Sequence, residues 1–273
     1  MDLEELWIKS VKSSYIGDDG AVIGNTIYAM DAFWEGSHFK REWMSPKQIA
    51  YKAFMVNLSD MVAMNAKAKY MLLTVALPKD LSKEFVLEMS EEFNRLSLEY
   101  NIAIIGGDTI GSDKIGVSIT MIGDSLNPLC RDNLKNGDLL AYTGILGEAK
   151  RDLERLFRNE KISSESKFYK PIIRAEFIQE AASYLSGGMD ISDGLYCDTN
   201  KLLRASGLFL EELVSIPTEI GESGEEYEML IAFSPKNREK IEKIAQKTNT
   251  PLHIFAQAVA EEKSFYPCKS HHF

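Results

Sequence analysis

The sequence predicts an α/β (α+β) chain built as two units. Strand-like and helix-like segments alternate along its whole length, and a polar, turn-rich stretch, Arg131-Asp-Asn-Leu-Lys-Asn-Gly-Asp138, interrupts that alternation near the middle. At 273 residues the chain also exceeds one average domain. We therefore expect one domain over residues 1–136 and a second α/β domain over 137–273.

Residues 27–33 read as a strand running into a loop, and 70–77 as a buried strand stopped by Pro78. The helix between them begins with Ser45 at the N-cap, Pro46 at the first helical position and Gln48 three residues past the cap, a capping box. It is expected to run to about Asn65. Ser82 caps a second helix reaching about Tyr100, and 102–105 is expected to be a short strand ending at Gly106-Gly-Asp-Thr109. Alternation over 115–123 predicts a half-buried strand. The second half reads as a strand at 139–143, helices near 147–158, 172–185 and 195–205, and strands near 208–214 and 228–234. A helix at 236–248 and a strand at 252–260 close it.

The composition, 45% hydrophobic and 26% charged, is that of an ordinary globular protein. Lys and Arg number 31 against 41 Asp and Glu, a formal net charge of -10, so no excess of cations is present to displace the counterions of a nucleic acid. A small polyphosphate stays compatible, because divalent metals can bridge acidic side chains to phosphate oxygens. Cys130, Cys197 and Cys268 are odd in number, far apart and lack a C-x-x-C spacing, and they read as reduced cytosolic thiols. The N-terminus is acidic and no apolar run approaches about 18 residues, so a cytoplasmic location with no membrane partner is expected.

Chemistry concentrates in the aspartates: Asp18 and Asp19 in Gly-Asp-Asp-Gly, Asp31 after a strand, Asp60 in Asn-Leu-Ser-Asp, Asp108 in Gly-Gly-Asp-Thr, and Asp190 and Asp193 in Met-Asp-Ile-Ser-Asp-Gly-Leu. Any one of these alone is most simply a turn or cap residue. As a set at element ends in apolar surroundings they point elsewhere, since converging carboxylates must take up protons or a neutralising cation. Magnesium suits them: it is a hard ion with oxygen ligands, usually shared with substrate phosphates. Familiar nucleotide motifs are missing. There is no G-x-x-x-x-G-K-[ST] loop, Gly106-Gly-Asp-Thr-Ile-Gly111 does not fit G-x-G-x-x-G, and the protein-kinase motifs are absent.

Gly17-Asp-Asp19, Asp31-x-x-x-Glu-Gly-x-His-Phe39, Lys52-Ala-x-x-Val-Asn-Leu-Ser-Asp-x-x-Ala-Met64 and Gly106-Gly-Asp-Thr109 follow one another in the order seen in thiamine-monophosphate kinases. Tyr142-Thr-Gly144 with Leu146-Gly147, Asp190-Ile-Ser-Asp-Gly-Leu195, Gly224-Glu-Glu-Tyr-Glu-Met-Leu230 and a closing His272-Phe273 continue the series, so the chain resembles that family over nearly its whole length. The resemblance implies an aminoimidazole-ribonucleotide-synthetase-like architecture whose N-terminal domain binds ATP and metal and pairs with its twin in a homodimer. It also implies ATP-dependent phosphorylation of thiamine monophosphate to thiamine diphosphate with several magnesium ions. By position, Asp19, Asp31, Asp60, Asp108, Asp190 and Asp193 fall on metal ligands. Gly107, Asp108, Arg131 and Ser192 fall on ATP contacts, and His38, Glu225 and Ser270 on substrate contacts. No general base is assigned, because the attacking phosphate oxygen is already anionic and orientation with electrostatics suffices.

Several positions depart from the family pattern. Ala29 and Met30 replace hydroxyl residues, Glu226 stands for Asp, and Asn65 and Asp152 for Gly. Ser270 occupies the place of an aromatic that Tyr266 or Phe273 would have to supply. Two alternatives stay open at this point: a non-catalytic binder of nucleotide or thiamine phosphate, and another ATP-using enzyme of the same superfamily. Of the latter, a selenophosphate synthetase expects a reactive cysteine near the N-terminus, whereas the first here is Cys130, and an aminoimidazole ribonucleotide synthetase lacks the Asp31 to His38 arrangement.

Overall fold

The computed structural model describes residues 3–268; Ser270, His272 and Phe273 lie outside the described residues. Helix α1 (Leu3–Ser10) precedes a five-stranded sheet of β1 (Ala21–Ile23), β2 (Thr26–Trp34), β3 (Lys67–Leu77), β4 (Ala103–Gly111) and β5 (Gly116–Asp124), in the order β1-β2-β5-β3-β4. Helices α2 (Pro46–Ala63) and α3 (Lys83–Tyr100) connect its strands. Only β3 and β4 run parallel, with α3 as the crossover a parallel pair needs.

The second half forms its own five-stranded sheet: β6 (Leu139–Thr143), β7 (Gly187–Asp190), β8 (Phe209–Glu212), β9 (Met229–Phe233) and β10 (Leu252–Val259), in the order β7-β9-β6-β10-β8 with every pair antiparallel. Helices α4 (Glu148–Phe157), α5 (Ala175–Ala181), α6 (Leu195–Ala205), α7 (Thr218–Gly221) and α8 (Arg238–Lys247) accompany it. Among the described residues no helix is long and apolar enough to cross a membrane.

Helix α2 ties the two sheets together. Its start is set locally, by the reciprocal Ser45 and Gln48 bonds of the capping box and by Pro46. Its sequence is apolar on every face, and 13 of its 18 residues are buried, the pattern of a helix enclosed on all sides. It packs on β2 and β5 and reaches β7 and α5 of the other half. One core therefore runs from Phe33 and Ile119 through Phe54 and Met61 to Phe177 and Phe233. A second core lies behind the other sheet around Leu140, Leu195 and Phe255. Each fully buried Phe adds roughly 1.5–3 kcal/mol of apolar burial.

Three expectations change. Strand β4 does not end at the glycines but continues through them to Gly111. The pairing needs glycine there, because a Cβ on Gly107 would lie 1.8 Å from the Leu73 carbonyl oxygen. The helix expected near 172–185 is only Ala175–Ala181, followed by a 3-10 turn at Ala182–Tyr184. Cys197 and Cys268 are not reduced thiols: 71 residues apart in sequence, they form a disulfide with their Cα atoms 5.1 Å apart, and Cys130 alone stays a free thiol. Separation along the chain carries no information about such proximity, which the docking of residues 265–268 on α6 creates. There Tyr266 stacks on Tyr196, and its backbone exchanges two hydrogen bonds with the Asn200 side chain.

Candidate functional site

A cavity of about 580 Å³ opens where α2, the end of β2 and the loop after β7 meet. Nine of the residues given a site role in the sequence line it, Asp19, Asp31, Asp60, Asp190 and Asp193 with Arg131, Ser192, His38 and Glu225, and Asp18 lies beside them. Asp19 comes from the loop before β1, Asp31 from β2, Asp60 from α2, Asp190 from the end of β7 and Asp193 from the turn into α6. Carboxylate oxygens of Asp19, Asp60 and Asp190 all lie within 4.8 Å of one another.

The polar residues of the otherwise apolar α2 build the frame. Asn57 accepts from the Asp31 amide at 2.9 Å through Oδ1 and donates to the Ala53 carbonyl, which pins β2 to the helix. Ser59 donates to Asp190 Oδ2 at 2.6 Å. Lys52, fully buried, pairs with Glu225 at 2.5 Å and lies 4.1 Å from the Phe168 ring centre. On the opposite wall, Asp198 of α6 accepts from the amides of Ser192 and Asp193 at 3.0 Å each, and Lys201 bridges Asp193 and Asp198. Arg131 pairs with Asp19 while its backbone amide donates to Asp18 Oδ1 at 2.7 Å.

Charge is crowded here. Burial first, then the neighbouring carboxylates, pushes Asp60 and Asp190 well above the ordinary carboxylate range. Burial also raises Asp19 despite its Arg131 partner, and Asp19 Oδ2 is a buried acceptor without a hydrogen bond. A cluster of oxygen donors that resists ionisation, with one oxygen left unbonded, fits a hard divalent cation. His38 Nδ1 accepts from the Trp34 amide at 2.9 Å, so the neutral ring carries its proton on Nε2 and is a donor there rather than a base.

Gly107 and Asp108 do not join this group. Pairing across the sheet places Asp31, Ile119, Leu73 and Gly107 in one row, and Ala32, Ser118, Thr74 and Asp108 in the next. Gly107 is thus three strand spacings, roughly 14 Å, from Asp31. Adjacent rows face opposite sides of a sheet, so Asp108 points to the open face, away from α2. That face exposes Tyr28, Met30, Tyr70 and Leu72. Ser270 lies outside the described residues.

The departures also find places. Asn65 sits at φ 50 just after α2, a left-handed position that suits Gly or Asn. Asp152 is buried and accepts from Ser166 Oγ at 2.5 Å. Ala29 lies in the core, whereas Met30 reaches the cavity. Lys52, Ser59, Asp198, Lys201 and Tyr227 were not singled out as site residues from the sequence. Lys52 carried a readable signal, a charge inside an apolar helix; Lys201 and Asp198, on an ordinary amphipathic helix, carried none.

Residues 17–124 match the family described as AIR synthase related protein, N-terminal domain. The thiamine-monophosphate kinase of Buchnera aphidicola subsp. Schizaphis graminum is 34% identical over 256 residues, covering 83% of this chain and 78% of that protein. That of Aquifex aeolicus is 30% identical over 221 residues, covering 77% and 72% respectively. Among solved structures, AaThiL complexed with AMPPCP and TMP superposes with a TM-score of 0.83 at 25% identity, over 96% of this chain and 91% of that one.

Proposed function

We infer that this chain, which belongs to the thiamine-monophosphate kinase family, transfers the terminal phosphoryl group of ATP to thiamine monophosphate, giving thiamine diphosphate and ADP. It is a phosphotransferase of two α/β domains with the aminoimidazole-ribonucleotide-synthetase-like fold. The observation that carries the mechanism is the convergence of Asp19, Asp60 and Asp190, whose oxygens lie within 4.8 Å in a cavity shared with Arg131, His38 and Glu225.

Asp19, Asp60 and Asp190, with Asp31 and Asp193 beside them, would hold magnesium ions. Bound there, the ions would neutralise the phosphates and the charge of the transferring group. Arg131 and the Ser192 turn would orient ATP, while Glu225 and His38 would hold thiamine monophosphate. His38 donates rather than accepts at Nε2, in keeping with a reaction that needs no general base for an anionic phosphate nucleophile.

Residues 1–136 would supply the metal-bearing and dimerisation domain and 137–273 the second domain. A homodimer through the open face of the first sheet is supported by its exposed Tyr28, Met30, Tyr70 and Leu72, an apolar patch of the kind that marks an interface. Asp108 would contact ATP or metal only from that same face, whereas Gly107 belongs to the Asp31 row. Incubation of the protein with ATP, magnesium and thiamine monophosphate is expected to yield thiamine diphosphate. ATP binding without product would favour a non-catalytic binder, and free thiamine is expected to react poorly because its hydroxyl would need a base.

A further inference from the structure

We propose that Lys167 is a positioning residue that holds the Glu225–Tyr227 loop against the substrate cavity by gripping Glu226 and Glu228 from behind. The proposal rests on the reading that Glu225 contacts thiamine monophosphate.

Glu225 and Tyr227 adopt φ values of 55 and 53, a left-handed conformation sparsely populated by residues with a Cβ and kept only where the surroundings enforce it. The loop is also tied to the metal-bearing turn: the Glu225 amide donates to the Ser192 carbonyl at 2.7 Å, and the Tyr227 amide to the Ile191 carbonyl at 2.9 Å. In this conformation successive side chains diverge. Glu225 and Tyr227 face the cavity, whereas Glu226 and Glu228 are fully buried in the second domain.

Two buried carboxylates two residues apart require partners. Glu226 accepts from Ser223 Oγ at 2.6 Å and the Gly147 amide at 2.7 Å. Glu228 accepts from Thr143 Oγ1 at 2.7 Å and from Arg174 at 2.7 and 2.8 Å. Lys167 reaches both, at 3.2 and 3.0 Å, and its remaining bond goes to the Ile145 carbonyl at 2.8 Å. Lys167 donates hydrogen bonds to Glu226 and the Ile145 carbonyl and forms an ion pair with Glu228, and with Arg174 it balances the two negative charges. Although burial pushes the Glu228 carboxyl up, Arg174 and Lys167 hold it below its usual range. The packing leaves no slack: a Cβ on Gly144, at φ 70, would lie 1.8 Å from Glu228 Oε1.

Removing the ammonium leaves two buried carboxylates with one cation. The loop then relaxes from its left-handed residues, and Glu225 leaves its place over the cavity. The Ser192 turn keeps its own anchors in Asp198 and Lys201, and Asp31 and Asp60 stay on β2 and α2, so binding of thiamine monophosphate suffers far more than binding of ATP. The charge-balanced double variant Lys167→Met/Glu226→Gln tests this, with Lys167→Gln, which keeps an amide donor, as a second variant should the first not fold. Circular dichroism establishes folding. Steady-state kinetics is expected to show KM for thiamine monophosphate raised by about tenfold or more with KM for ATP within about twofold, and Lys167→Arg recovering most of the loss. A folded variant with wild-type KM for thiamine monophosphate, or with equal rises in both KM values, overturns the proposal. Glu225→Gln separates it from its premise. If that variant alone raises KM for thiamine monophosphate, the positioning role fails. If even Glu225→Gln leaves that KM unchanged, the substrate-contact reading fails and the proposal with it.

Discussion

Lys52 and Glu225, 173 residues apart in the chain, meet at 2.5 Å with the lysine side chain fully buried. The pair joins helix α2 of the first domain to the cavity loop of the second, and Phe168 of the second domain lies under the ammonium. Replacing Lys52 by Met would leave the Glu225 carboxylate without its cation at the domain junction. Denaturant unfolding is expected to show a loss of about 2–3 kcal/mol, moderated because Glu225 keeps some contact with water. An unchanged midpoint would mean that the pair contributes nothing to joining the domains.

Asp60 lies on the buried helix with its carboxylate beside those of Asp19 and Asp190. Replacement by Asn keeps the shape and removes a charge. Magnesium-dependent turnover is expected to fall at least about a hundredfold, near 2.7 kcal/mol of barrier. The metal-free melting temperature should hold or rise, because repulsion among the aspartates is relieved. If Asp60 served only a local hydrogen bond, the ordering would reverse, with stability lost and turnover per folded molecule kept.

The same crowding sets a pH dependence. Asp60 and Asp190 are raised in the folded protein by burial and by their neighbours, so the folded state keeps protons that the unfolded chain has released. Stability of the metal-free protein should therefore fall as pH rises from about 4 through the raised values and then level off. Magnesium, which competes with those protons, should remove or invert the slope. Melting curves from acid to neutral pH in EDTA and in magnesium provide the comparison; a flat profile in EDTA would contradict the carboxylate crowding.

Thiol titration of the denatured, unreduced protein should count one thiol, Cys130, and three after reduction. Reducing the Cys197 to Cys268 bond is expected to cost roughly 2–4 kcal/mol of stability. Three thiols before reduction would mean that the tail is held on α6 by the Tyr196 and Asn200 contacts alone.

Helix α2 was legible from its own residues, because a capping box is a local device and an apolar run on every face can only be enclosed. So was the set of aspartates, since a carboxylate among apolar neighbours announces its cost without any partner in view. The sequence places the end of the 102–105 strand at Gly106-Gly107, yet β4 runs on to Gly111: glycine is compatible with a strand end or a close-packed strand, and only the close approach of Leu73 selects the second. Whether Asp108 faces α2 or the open side was undecidable locally, because strand register sets it and a shift of one residue reverses the face. Lys52 with Glu225, Lys167 with Glu226 and Glu228, and Cys197 with Cys268 belong to the same class. Each couples residues whose separation in sequence says nothing of their distance in space: the packing of two sheets around α2 brings Lys52 to Glu225, the folding of the second domain brings Lys167 to its two glutamates, and the docking of the C-terminal residues on α6 brings Cys268 to Cys197.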